Sequence, residues 1–360
     1  MPLLRLVLLL LAAAAASSSG ECRYGSEPGT WTNYEWSETE QRGPHLDGLL
    51  YRRLDDTAKS LWFSLSKEPA GAPFGSAWRT LGRDCPLHNV LASFWSQTFV
   101  RRTTLMFFGD SNDAHLVNFL CGEYAARGFT GWKAYINSKE IINYCSLPSG
   151  LTILQIYVMG VFTGDVHQIH TAREFFTNGT DRSPERELNE FVKPPLLAER
   201  AKEIKDISQF SPDLIMLSSS YWTLHQMVEV VKNKDDMTPP LIGEAHLTEF
   251  TNRMAHLARI AARNFPKAKL AIRTSHEIRT DCVFGTNIDH SNKRIWGKRA
   301  WVSQINAAIR AVARASPNIQ LVDLQAIADP FTPRQTTADD IHFKSWMGFE
   351  RVNVLLNIVR

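Results

Sequence analysis

Leu105-Met106-Phe107-Phe108-Gly109-Asp110-Ser111 is a short apolar run ending in glycine and two small polar residues. Arg101-Arg102 precede it, so residues 105–108 read as a buried strand bounded by charge on one side and Gly109 on the other. Residues 113–126 then read as a helix, with Leu116, Phe119, Leu120 and Tyr124 at helical spacing. Ser111 therefore stands at a strand-to-helix junction, where unpaired N–H groups and the helix dipole favour negative charge. The same place suits a helix cap, a common use of Asp and Ser, so this segment alone leaves both readings open.

Outward from it, residues 151–158, 214–217, 269–273 and 319–324 give four more β-rich runs. Helical spacing marks residues 247–265, the face Val302, Ile305, Ile309 and Val312, and a closing helix over 345–358. Strands separated by helices imply a three-layer α/β/α domain around a mostly parallel five-stranded sheet, with the site at the carboxyl ends of the strands. After the last strand comes Asp339-Asp340-Ile341-His342. A serine hydroxyl is a poor nucleophile until a base takes its proton, and an Asp three residues before a His supplies one compactly. Ser111 is thus the candidate nucleophile, His342 the general base and then acid, and Asp339 the residue orienting the imidazole.

Arg5 precedes an apolar run over residues 6–16 that gives way to Ser17-Ser18-Ser19. Residues 1–20 have the layout of a secretory signal peptide and are too short to span a bilayer comfortably, with a retained signal anchor as the alternative. No later segment reaches membrane-spanning length. Residues 21–100 form an aromatic, cysteine-containing extension, and 101–360 the expected catalytic domain.

With 40 basic and 37 acidic residues the net charge is +3, too small to favour nucleic acid. An apolar share of 44% and ten tryptophans favour a folded globule. Cys22, Cys85, Cys121, Cys145 and Cys282 imply two disulfides and one leftover thiol in an oxidising lumen. Asn178-Gly179-Thr180 is a glycosylation acceptor in a polar stretch. His167 and His170 offer a metal pair, but no Cys, Asp or Glu stands at a recognisable ligand spacing, so a surface loop and no metal are expected.

Gly109-Asp110-Ser111 with Asp339-x-x-His342 resembles the SGNH (GDSL) hydrolase superfamily. The surrounding pattern is similar to its PC-esterase and trichome-birefringence-like branch: Cys22 with Gly29-Thr30-Trp31, Trp78 with Cys85, Phe107 to Ser111, Cys121, and Arg273-Thr274 before Cys282. The resemblance implies an SGNH-like domain and an O-acetyltransferase acting on a glycan with an acyl donor, without a cofactor. An esterase acting on glycans or small acyl esters needs the same residues, and a glycan-binding protein with a decayed site is the third reading. Cys22 with Cys85 matches the family pattern, and Cys121 with Cys145 is then the remaining pair. Closing the longer loop adds about 4 kcal/mol on the chain-entropy model and clamps the N-terminal extension.

Two departures stand out. Where the superfamily places an oxyanion asparagine after the third strand, this chain has Leu217-Ser218-Ser219-Ser220-Tyr221-Trp222. The candidate oxyanion donors are the Ser111 N–H, Gly160 or Gly164, and a hydroxyl of Ser218 or Ser219; losing one donor typically costs about a hundredfold in rate. The serine run also reads as a tight turn. Asp340 and Lys344 replace the cysteines flanking the plant-type histidine motif, which leaves Cys282 as the unpaired thiol. Arg273, His276 and Trp222 are candidate substrate contacts, with packing against the loops as the alternative for Arg273. His115 lies one turn beyond Ser111 and can approach it or serve as an ordinary helix side chain. Trp31, Tyr34, Trp36 and Trp62 suit either sugar stacking or covering a sheet edge.

Overall fold

The computed structural model describes residues 22, 29–33, 76–80, 85, 87–88, 90, 101–126, 131, 133–137, 142–158, 160–161, 184–191, 193–202, 204, 207, 210–219, 221–231, 241–277, 299–331, 336–337, 341–343 and 345–360. Strands β1 (Gly29–Asn33) and β2 (Ser76–Thr80) form a separate antiparallel pair with Trp31 opposite Trp78 in register. The main sheet contains β3 (Thr103–Gly109), β4 (Lys133–Asn137), β5 (Ile142–Ser146), β6 (Leu151–Tyr157), β7 (Leu214–Leu217), β8 (Lys269–Arg273) and β9 (Ile319–Val322). Its order is β4-β5-β6-β3-β7-β8-β9.

Five of these strands, β6-β3-β7-β8-β9, run parallel, as the alternation of strand and helix implies. The hairpin β4–β5 joins them antiparallel at one edge and widens the expected five-stranded sheet to seven. At the other edge, β9 stops at Val322, and Leu324, expected as strand, opens a short helix capped by Asp323.

Helices cover both faces. On one side α1 (Ser111–Ala126) and the closing α5 (Ser345–Val359) pack over Leu105 and Phe107; on the other α2 (Tyr221–Val231), α3 (Glu244–Asn264) and α4 (Arg299–Ala315) pack over Met106 and Phe108. Residues 105–108 are fully buried because β3 points consecutive side chains into two different cores. That double burial is why the strand reads as an unbroken apolar run rather than an alternation.

The chain leaves β3 toward β6 on one side and returns to β7 on the other, so strand order reverses at β3. Such a switch point opens a crevice outside the carboxyl ends of the strands, where ligands of open α/β sheets bind. Ser111 follows β3 directly, and Ser218 and Ser219 follow β7. Two disulfides brace the frame: Cys22–Cys85 reaches from the N-terminal segment, and Cys121–Cys145 ties α1 to β5.

Candidate active site

Backbone bonds from both neighbouring strands hold the end of β3. Val158 N donates to Gly109 O at 2.8 Å and Ser218 N to Phe108 O at 3.0 Å. The Gln155 side chain, itself bonded to Asn143, adds a 3.1 Å bond to Gly109 O. Asp110 is the cap of α1, its carboxylate accepting from Asn112 N at 3.0 Å. The cap and the nucleophile are therefore adjacent residues, and Ser111 Oγ is left for other work.

It lies 2.8 Å from His342 Nε2. Both residues are half-buried, so the pair sits at the rim of the crevice rather than inside the core. The His342 backbone is fixed on either side: His276 Nε2 donates to Ile341 O at 2.9 Å, and Phe343 N donates to Asn112 Oδ1 at 3.2 Å. Phe343 also bridges antiparallel to Thr337. The His115 ring stacks on His342 with centroids 4.2 Å apart and planes 25° from parallel. His115, open to two readings in the sequence, contacts the imidazole itself.

Beneath the pair lies a buried charge cluster. Asp113 accepts from Arg351 at 2.6 Å and from Arg273 at 3.1 Å, and Arg273 also bonds Asp110 at 3.0 Å. Ser218 Oγ donates to the same Asp113 carboxylate. Two carboxylates and two guanidiniums out of water offset one another, which is the condition for burying any of them. Burial alone would raise the Asp113 pKa; the charges of Arg273 and Arg351 and the bonds from Arg273 and Ser218 hold it below the usual value. Arg351 feels burial most and is lowered to about 10, while lying 4.7 Å over the Phe343 ring. Arg273 is raised: burial works against its charge, but Asp113 and Asp110 outweigh it. Gly109 belongs to this cluster because a Cβ there would overlap the Asp113 carboxylate and the Ser218 hydroxyl.

The structure revises several sequence expectations. Arg273 and His276 are buried below the rim, so they position loops instead of lining the crevice. Burial, aided by Arg273, pushes the His276 pKa down to about 3, keeping the ring neutral and able to donate to Ile341 O. The Ser218 hydroxyl is committed to Asp113 and the Ser219 hydroxyl bonds Thr223, so neither is placed to serve an oxyanion. Gly160 has φ +76, and a side chain there would collide with Gln226. Trp222 is half-buried and donates through Nε1 to the Tyr157 hydroxyl at 2.9 Å. Asp339, Gly164, Asn178, Cys282, His167, His170, Tyr34, Trp36 and Trp62 lie outside the described residues, and the side chain of Trp31 does too. Among the described residues no group of His, Cys, Asp and Glu could hold a metal ion, and no helix is long and apolar enough to cross a membrane.

Sequence reasoning missed Tyr157, Asn112, Asp113 and Arg351. Asn112 and Asp113 follow the nucleophile directly and read as helix. Tyr157 ends a strand whose residues were read only for β-propensity, and Arg351 carries no signal within the apolar spacing of α5.

No protein-family model matches this sequence, and the comparison with curated proteins finds no match. Among solved structures the chain is similar to Est24, a carbohydrate acetylesterase from Sinorhizobium meliloti, at 12% identity over 71% of this chain and 97% of that one, with a TM-score of 0.36. A protein described as a GDSL-like lipase from Parabacteroides merdae overlaps at 12% identity over 72% and 98%, TM-score 0.35. A peptidoglycan O-acetylesterase overlaps at 11% identity over 74% and 92%, also with a TM-score of 0.35. These overlaps are loose, so the chemistry open to this chain follows from its own residues.

Proposed function

We propose that this protein is a serine acyl-transfer enzyme of the secretory pathway that moves an acetyl group on or off a glycan through an acyl-Ser111 intermediate. The observation that carries the proposal is the 2.8 Å contact between Ser111 Oγ and His342 Nε2 at the switch point of the sheet. Residues resembling the SGNH superfamily and its PC-esterase branch support the acyl chemistry and the glycan, and the two disulfides suit an oxidising lumen.

In this mechanism His342 Nε2 takes the Ser111 proton as Oγ attacks the ester carbonyl. The carbonyl π pair moves to oxygen, and the Ser111 N–H at the start of α1 faces the charge that develops. Collapse breaks the bond to the leaving alcohol, which takes the proton from His342. A second hydroxyl, from a sugar or from water, then gives its proton to His342 and collects the acyl group. Asp339, three residues before His342, is proposed to orient the imidazole.

The sugar acceptor is the first reading, because the branch that the residues resemble contains glycan O-acetyltransferases. Incubation with an acetyl donor, with and without an oligosaccharide, separates the outcomes. Acetylated sugar marks a transferase; free acetate unaffected by the sugar marks an esterase. Full activity of Ser111→Ala and His342→Ala would remove both.

A further inference from the structure

Three groups converge on one oxygen beside the nucleophile. The Tyr157 hydroxyl accepts from Trp222 Nε1 at 2.9 Å and also bonds the backbone N–H and the hydroxyl of Ser111. Indole Nε1–H can only donate, as can a backbone N–H, so both are aimed at the phenol oxygen. The hydroxyl proton of Tyr157 then has Ser111 Oγ as its acceptor, and the proton of Ser111 has His342 Nε2. Every donor in this chain meets an acceptor.

An oxygen beside the nucleophile, with two N–H donors pointing at it, marks the place where a substrate's carbonyl oxygen would sit. We infer that the Ser111 N–H and the Trp222 Nε1–H form the oxyanion hole and that the Tyr157 hydroxyl is its resting occupant, displaced when an acyl group binds. This inference rests on Ser111 being the acyl-accepting nucleophile. It gives Trp222 a catalytic role, and it fills a place for which the serine hydroxyls after β7 are unavailable.

The exchange favours the transition state. Burial raises the Tyr157 phenol first and the negative charge of Asp110 raises it further, so the occupant is a neutral hydroxyl. A neutral acceptor holds N–H donors less strongly than an oxyanion does, because charge-assisted bonds are roughly twice as strong as neutral ones. The same two donors are therefore held loosely at rest and tightly as charge develops, which is the differential binding that accelerates a reaction. Trp222 sits on α2 within one turn of Thr223, whose hydroxyl is bonded to Val161 N and to Ser219, so the indole is borne by a tied-down helix start.

An alkyl fluorophosphonate tests this without knowledge of the natural substrate. Ser111 Oγ bonds to phosphorus, fluoride leaves with the P–F electron pair, the serine proton passes to His342, and the phosphonyl oxygen takes the place of the oxyanion. The rate of adduct formation is followed by intact mass. Trp222→Phe, which keeps an aromatic ring but loses the donor, should slow labelling about a hundredfold. Tyr157→Phe should label faster than the wild type. A Trp222→Phe rate equal to the wild type, or a Tyr157→Phe rate no faster than it, would overturn the inference while Ser111 remained a nucleophile. Absence of any wild-type adduct on Ser111 would instead bring down the acyl-transfer reading, and this one with it. If Trp222→Phe does not fold, the indole N–H resonance of Trp222 in the wild type decides: it should shift on phosphonylation, and an unmoved resonance overturns the assignment.

Discussion

At the residue scale, Asp113 is the side chain on which the base of the site depends. It holds Arg273, Arg351 and Ser218 at once, all of them buried. Replacing it by asparagine leaves two buried guanidiniums to share Asp110, and breaking a buried pair in this way costs about 3–5 kcal/mol. Urea unfolding of Asp113→Asn should show a loss of that size; an unchanged midpoint would mean that the cluster is not part of what holds the fold. His276 gives a second expectation. Its pKa is pushed from the ordinary 6.5 down to about 3, so between those values the unfolded chain binds a proton that the folded chain refuses. Folding stability supported by neutral His276 is complete above about 6.5 and is lost as pH falls toward 3. His276→Gln should flatten the dependence of melting temperature on pH across that window, and a slope identical to the wild type would rule out the titration.

At the scale of elements, the loop bearing His342 is held by one bond before the histidine and one after it. Asn112 reaches that loop from α1, the helix that carries Ser111, so a single side chain couples nucleophile and base. Asn112→Ala should lower kcat on a chromogenic acetyl ester by about 10–100-fold with KM little changed, because small misplacements of a reacting group are that costly. A change confined to KM would contradict the coupling. These elements were unequally legible. Strand β3 and helix α1 follow from the apolar run and its helical sequel, and β7 and β8 carry the bounds that their apolar residues imply. The β4–β5 hairpin escaped because Lys133, Asn137 and Asn143 interrupt its short apolar stretches and because edge strands tolerate such polarity. The positions of Ser111 and His342 could be read because strand ends and motif residues coincide there. Trp222, Tyr157 and Arg351 could not, since which side chains meet across a crevice depends on tertiary contacts that no periodicity encodes.

For the molecule as a whole, the parallel sheet sets the site and the disulfides set the frame. Cys22 and Cys85 are 63 residues apart, and a loop of that length is worth about 4 kcal/mol on the chain-entropy model. The Cys22→Ser and Cys85→Ser double variant should unfold at lower denaturant by a comparable free energy; full retention of stability would show that the N-terminal segment adds nothing to the domain. The central claim is that Ser111, deprotonated by His342, carries the acyl group. Its most direct test is to mix the protein with an activated acetyl ester, quench rapidly, and map the modified peptide by mass. An acetyl group on Ser111 in the wild type, absent in His342→Ala, is the result expected here; unmodified Ser111 in an actively turning-over sample, with Ser111→Ala equally active, would contradict it.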